Sequence, residues 1–189
     1  MDDKKHLICV DFDRTLLTTD SGQEYLRLFA TKRLRFFAAL RILRLISKSN
    51  FRNLILEDLK RCRNLRPTTY TDFINHLTGF VNFGLLQFLS NFESSRHLIV
   101  INSASEEVLV EDFGRALGFT EFIGSTSQNQ NYGMKKIHNM IDRYPRSDFT
   151  YCTGVSDNLE DRIWDEYFEN FIYYKSNTVL ESNQINGCL

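Results

Sequence analysis

Two aspartates two residues apart, in Asp11-Phe12-Asp13-Arg14-Thr15, close a short apolar run over residues 6–12 (HLICVDF). At the end of a strand, residues i and i+2 project to the same side, so both carboxylates face one space. Held close, they repel each other unless a cation binds between them or one takes a proton. Either outcome serves phosphoryl transfer. Standing alone, such a pair reads more readily as an ordinary acidic loop. Three further groups follow. Ser103 comes directly after the β-branched run 97–102 (HLIVIN), where its hydroxyl could donate to a phosphoryl oxygen. It could instead open the next helix, as could Ser105. Lys135 stands in Gly133-Met134-Lys135-Lys136, and a lone lysine is usually solvated surface. Asp157 and Asp161, in Ser156-Asp157-Asn158-Leu159-Glu160-Asp161, are four apart and share a face if a helix begins there. They could hold a hard cation through oxygen, or simply be favourable acids at a helix start.

The elements that must position these groups alternate. Residues 6–12, 97–102, 121–125 (EFIGS), 149–153 (FTYCT) and 170–174 (NFIYY) are strand candidates. Residues 105–117 (SEEVLVEDFGRAL) begin with a capping residue and reach Gly118 after the last apolar position, which predicts a helix. Residues 157–168 form a second helix candidate. Strands alternating with helices imply an α/β fold, a doubly wound, Rossmann-like parallel sheet covered on both faces. Ligands bind such sheets beyond the carboxyl ends of the strands, where all the groups above lie. Residues 16–95 break the alternation and are rich in helix formers. They read as a helical cap inserted after the first strand, with 1–15 and 96–189 forming the catalytic core.

Each signal is ambiguous alone, but their order is not. Strand-DxDxT, strand-Ser, Lys, strand-SDxxxD resembles the four-motif signature of the haloacid dehalogenase superfamily. The similarity covers residues 7–17, 98–126 and 132–163. It extends to Ser103-Ala104-Ser105-Glu106, Leu117-Gly118-Phe119 and Ile123-Gly124-Ser125, which look like the phosphoserine-phosphatase-like branch with its helical cap after the first motif. Two departures stand out. Arg14 occupies a position where the family usually has Gly. Ser-Ala-Ser replaces the Ser-Gly-Gly of phosphoserine phosphatases, which argues against phosphoserine as the substrate.

The resemblance implies a Mg²⁺-dependent phosphatase that hydrolyses a phosphate monoester. Asp11 is then the nucleophile that forms an aspartyl phosphate. Mg²⁺ is held by Asp11, the main-chain carbonyl of Asp13 and Asp157, with Asp161 completing or orienting the shell. Ser103 and Lys135 bind the transferring oxygens. Asp13 protonates the leaving oxygen and later takes a proton from water. Thr15 orients Asp13 or its loop. Asp20 contacts substrate or caps a helix. Two alternatives remain: a catalytically weak or inactive protein of this fold that binds an anionic partner, and phosphotransfer to an acceptor other than water.

The formal net charge of −1 hides an asymmetry. From Arg27 to Arg66, twelve basic residues face only Glu57 and Asp58, a surplus of ten, so the remainder carries −11. Such a split suggests two units with different partners. Residues 34–48 (LRFFAALRILRLISK), read as one helix, would align Arg41, Arg44 and Lys48 on a stripe with apolar residues around most of the circumference. That is either a packed cap helix or an interfacial helix touching a membrane. A phosphorylated small molecule or a phospholipid is therefore the expected substrate, with possible peripheral membrane contact. No nucleic-acid motif accompanies the basic segment, so no nucleic-acid partner is expected. Cys9, Cys62, Cys152 and Cys188 lack knuckle or redox-dithiol spacing, and Cys9 and Cys152 read as small core residues. Met-Asp-Asp-Lys-Lys running straight into a strand resembles no signal peptide. No apolar stretch approaches the roughly 20 residues needed to span a bilayer. The expected location is cytoplasmic.

Overall fold

The first apolar run forms β1 (Lys5–Val10), and its neighbours show why it is apolar throughout. The computed structural model describes residues 4–173. Within it, β1 lies at the centre of a five-stranded sheet of order β3-β2-β1-β4-β5. The other strands are β2 (His97–Glu106), β3 (Glu121–Ser125), β4 (Phe149–Ser156) and β5 (Asn170–Tyr173). Every pairing is parallel, with Ile8 opposite Ile99 and Val10 opposite both Ile101 and Val155. Side chains alternate across a strand, and the two cores follow that alternation. Ile8 and Val10 join Ile101, Val155, Leu109 and Phe113 on one face. Leu7 and Cys9 join Val100, Ile137, Met140 and Trp164 on the other. Both faces are covered, so the central strand carries no polar side.

The strand candidate 170–174 forms through Tyr173, and Tyr174 lies outside the described residues, as does Cys188. Cys9 and Cys152 are both fully buried core residues.

Between β1 and β2 the chain is helical: α1 (Ser21–Glu24), α2 (Lys32–Ile42), α3 (Lys48–Leu65), α4 (Pro67–Thr78) and α5 (Phe83–Leu89). A π-helical turn over Tyr25–Phe29 separates α1 from α2. The two ends of this insertion meet where Leu17 bridges Val81, Thr18 N donates to Phe80 O and Asn82 N donates to Leu16 O. α6 (Glu107–Ala116) and α7 (Met134–Arg143) cover opposite faces of the sheet, and the segment after β4 forms a 3-10 helix, Leu159–Glu166.

Two helix expectations need correction. Residues 34–48 are not one helix. α2 ends at Ile42, Arg44 adopts a left-handed conformation (φ 60), and Ser47 caps a new helix by accepting from Asn50 N. Arg44 N donates to Arg41 O and Leu45 N to Leu40 O, the paired bonds that terminate a helix. Arg41, Arg44 and Lys48 therefore share no helical stripe. Ser105 does not cap α6 either. Glu106 does, accepting from Leu109 N at 3.0 Å, because the Ser105 hydroxyl is turned elsewhere. Gly124, in β3, lets the sheet approach α6: a Cβ there would stand 2.3 Å from Glu107 Cα.

Candidate active site

From β1 the chain runs outward to β2 and β3, then returns across β1 to β4 and β5. The carboxyl ends of β1 and β4 thus border the point where the winding reverses, the place where such sheets open a crevice. Asp11 follows β1 and Ser156 ends β4, and a cavity of about 510 Å³ opens above them. Asp11, Asp13, Asp157 and Lys136 line it from the sheet side, with Lys48 and Arg52 of α3 from the cap.

Asp11 is buried and held on both oxygens. Its Oδ1 accepts from Phe12 N at 2.8 Å and Lys136 Nζ at 2.9 Å, and its Oδ2 lies 3.2 Å from Ser156 Oγ. Burial raises the Asp11 carboxyl to about 7, against the pull of Lys136. Burial alone would lower the Lys136 ammonium, but Asp11 and Asp161 flank it and hold it above its ordinary value. Asp161 is fully buried, and its Oδ2 accepts from Lys136 at 2.7 Å and lies 2.8 Å from Ser156 Oγ. Its Oδ1 has no hydrogen-bond partner among the described residues.

The lysine of the site is Lys136, not the expected Lys135, which is exposed. The cause is helical phase. Lys136 shares the buried face of α7 with Ile137 and Met140, while Lys135 falls on the solvent side. That periodicity was readable in the sequence and would have selected the right residue. Gly133 opens α7 with φ 54 and ψ −134, a conformation essentially restricted to glycine, and so aims the helix at the cavity. A buried amide pair fixes its start. Asn131 Nδ2 donates to Asn102 Oδ1 and Ser103 O, both at 2.7 Å, and Asn102 Nδ2 donates to Lys136 O at 3.1 Å.

Asp13 is clamped by two residues that are not among the expected site residues. Ser21 N donates to its Oδ1 at 2.7 Å and Ser105 Oγ to its Oδ2 at 2.5 Å. Burial, with the nearby Asp20 charge, raises its carboxyl despite these bonds, which favours the protonated form. Thr15 serves Asp157 rather than Asp13: Asp157 N donates to Thr15 Oγ1 at 3.0 Å, and Thr15 Oγ1 lies 3.3 Å from Asp157 Oδ1. Burial also raises Asp157, against that hydrogen bond and the Arg14 charge. Asp20 lines the cavity and caps α1, accepting from Gln23 N at 2.9 Å, so both expected roles coincide in position. Ser103 is buried within β2 rather than just past its end, accepts from Ser105 N at 3.0 Å, and leaves the cavity wall to Ala104. Arg14 has φ 60 and lies 3.5 Å from Asp20 Oδ2. A left-handed turn explains why glycine suits this position.

Among the carboxylates that line the cavity, Asp11 and Asp157 follow the ends of β1 and β4 and offer hard oxygens, which suits a hard divalent cation. No cluster of three or more His, Cys, Asp or Glu side chains converges for a metal among the described residues. Main-chain oxygen and water would have to complete the shell, as Mg²⁺ commonly allows. Asp161 is drawn to Lys136 and reads as its counter-charge.

A profile of the haloacid dehalogenase-like hydrolases matches residues 8–143. No curated protein matches significantly. Among solved structures, a protein of unknown function from Bordetella pertussis Tohama I is similar over 89% of each chain at 14% identity, TM-score 0.67. A HAD family hydrolase from Salmonella enterica subsp. enterica serovar Typhi is similar over 98% of this chain and 73% of its own, at 12% identity, TM-score 0.61. A phosphoserine phosphohydrolase-like protein from Francisella tularensis subsp. tularensis SCHU S4 is similar over 88% and 85%, at 16% identity, TM-score 0.52. At these identities the likeness is one of fold. The profile spans most of the chain, including the first aspartate pair and the buried lysine, and on that ground the chain belongs to the haloacid dehalogenase-like hydrolase family.

Proposed function

We propose that this protein is a Mg²⁺-dependent phosphatase that hydrolyses a phosphate monoester through an aspartyl phosphate on Asp11. The observation that carries the reading is the buried Asp11–Lys136–Asp161 chain at the floor of a cavity lined by both carboxylates and cations. A plain binding site has no need of a buried carboxylate fixed at both oxygens, and a nucleophile does.

Each side chain then has a task. Asp11 Oδ2, the oxygen not paired with Lys136, attacks phosphorus while Lys136 and Phe12 N hold the carboxylate in place. Lys136, whose charge Asp161 partly balances, also offsets negative charge on the transferring oxygens. Asp13, whose carboxyl is shifted by burial toward the protonated form and which Ser21 and Ser105 aim, gives its proton to the leaving oxygen. It then accepts one from the water that cleaves the acyl phosphate. Mg²⁺, held by Asp11, Asp157 and the Asp13 carbonyl, would supply charge neutralisation between carboxylate and phosphate. Thr15 fixes Asp157 for that purpose. Ser103 supports the loop through Ser105 N. The substrate is a phosphorylated compound whose head fits the cavity, with Asp20, Arg14, Lys48 and Arg52 at its rim.

The test is hydrolysis of para-nitrophenyl phosphate with Mg²⁺ and with excess chelator. Turnover should need Mg²⁺, and beryllium fluoride should trap the intact protein but not Asp11→Asn. Full activity in chelator would remove the metal from the mechanism. Trapping of Asp11→Asn would remove its nucleophile.

A further inference from the structure

The turn that joins α2 to α3 holds apolar side chains out into solvent. Ile42 is 81% exposed, Leu45 71% and Leu43 66%, with Phe36 of α2 at 61%. Elsewhere exposed apolar residues such as Leu65 and Phe83 stand singly, which is normal for any protein surface. The four here fall within ten residues. The turn is ordered: Arg44 N donates to Arg41 O at 3.0 Å, Leu45 N to Leu40 O at 2.9 Å, and Ser47 caps the following helix. Its apolar side chains are therefore presented by a built turn.

The surrounding charge has one sign. From Lys32 to Lys48 the chain carries Lys32, Arg33, Arg35, Arg41, Arg44 and Lys48, and no acid. We propose that this turn docks on an anionic lipid bilayer, with Ile42, Leu43 and Leu45 entering the boundary between headgroups and acyl chains and Arg41 and Arg44 meeting lipid phosphates. Charge complementarity selects the occupant. A second copy docked through the same turn would set six cations against six. Side chains that project from a turn also need a partner that yields to their shape, which a bilayer does.

Continuity with the cavity supports the same occupant. Lys48 lines the cavity and follows Leu45 by three residues, at most about 11 Å of chain. Docking thus brings the cavity rim to headgroup level, where a phosphate monoester carried by a lipid could reach Asp11. That consequence rests on the phosphatase reading; the docking does not.

The experiment is sedimentation of the intact protein with phosphatidylglycerol–phosphatidylcholine vesicles and with pure phosphatidylcholine vesicles. Binding is expected to the first and not the second. Ile42→Ser, Leu43→Ser and Leu45→Ser together should weaken it at least about tenfold, since each removes an apolar side chain from the boundary. Arg41→Gln with Arg44→Gln should weaken it on the order of thirtyfold at low salt, roughly fivefold per cation, and less at high salt. Lys48 is left in place because it lines the cavity. Both variants should keep aryl phosphate turnover measured without vesicles. Intact protein that stays in the supernatant with anionic vesicles at low salt overturns the proposal. So does undiminished binding by the triple serine variant. A dimer that this variant dissolves, with no vesicle binding, assigns the turn to a second copy. Turnover without vesicles and sedimentation are separate readouts, so failure of one does not mimic failure of the other.

Discussion

The floor of the cavity and the apex of the cap use charge in opposite ways. At the floor, Asp11, Lys136 and Asp161 are almost fully buried, and Lys136 contacts both carboxylates, at 2.9 and 2.7 Å. At the apex, Arg44 and the apolar residues beside it are exposed, and the cations of Lys32–Lys48 meet no acid in that stretch. A buried ion is tolerated only when paired and hydrogen-bonded, so each floor charge is fixed to serve another. An exposed cation loses little by waiting in water for a partner. The floor is built to act on a bound group, and the apex is free to meet something outside the protein. A comparable contrast appears in the turns. Gly133 takes the strained backbone beside the floor, whereas Arg14 and Arg44 accept left-handed φ with a full side chain.

The contrast predicts a hierarchy of mutational effects. Asp11→Asn should cost the most, reducing aryl phosphate turnover on the order of 10⁴-fold, as loss of a nucleophile does. Near-normal turnover would show that the floor is structural. Lys136→Met should lower turnover less steeply but destabilise the fold by about 3–5 kcal/mol in urea denaturation, because Asp11 and Asp161 would be left buried without their cation. Lys135→Met, on the exposed side of the same helix, should stay within about 0.5 kcal/mol. Equal effects would erase the distinction between the two lysines. Gly133→Ala should destabilise by about 1–3 kcal/mol, since φ 54 with ψ −134 suits no other residue. Its turnover should fall as well, because Lys136 stands three residues on.

Arg14→Gly should instead stabilise by about 0.5–1 kcal/mol, the relief of a left-handed residue less the added freedom of the unfolded chain. A loss of stability would mean that the 3.5 Å pairing with Asp20 outweighs the strain. The smallest effect concerns pH in the cap. His76 shares a 2.9 Å hydrogen bond with Glu24 and, with Arg27, holds the Glu24 carboxyl below its usual range against the effect of burial. A depressed carboxyl contributes stability that is fully present above the ordinary carboxylate value. That contribution is lost as pH falls through the lower folded value. His76→Phe should therefore lower stability at neutral pH, with the difference from the unaltered protein fading as pH falls below the ordinary carboxylate range. A difference constant with pH would assign the effect to packing alone.

Among the described residues no helix is long and apolar enough to cross a membrane. The bilayer contact proposed for the apex is therefore a peripheral one, made by a turn, and a continuous basic helix is not needed for it.

The amino-acid sequence by itself determined the strands, their parallel sheet and the order of the reactive groups along the chain. Those features depend on near neighbours: the continuous apolar run of Leu7–Val10, the β-branched run at Ile99–Ile101, and carboxylates placed just past a strand end. It also determined the basic surplus of the insertion, since charge is additive along the chain. Tertiary structure decided who holds whom. Lys136 reaches Asp11 across 125 residues, Thr15 supports Asp157 across 142, and Ser105 clamps Asp13 across 92. Such partners are fixed by which strands lie side by side, and no local pattern encodes that order. The break after Ile42 belongs to the same class. Residues 34–48 are rich in apolar and helix-forming residues, but a straight helix there would carry α3 away from α4 and β2, against which it packs. Burial of Leu56, Leu59 and Cys62 on that packed side outweighs the few hydrogen bonds a longer helix would gain.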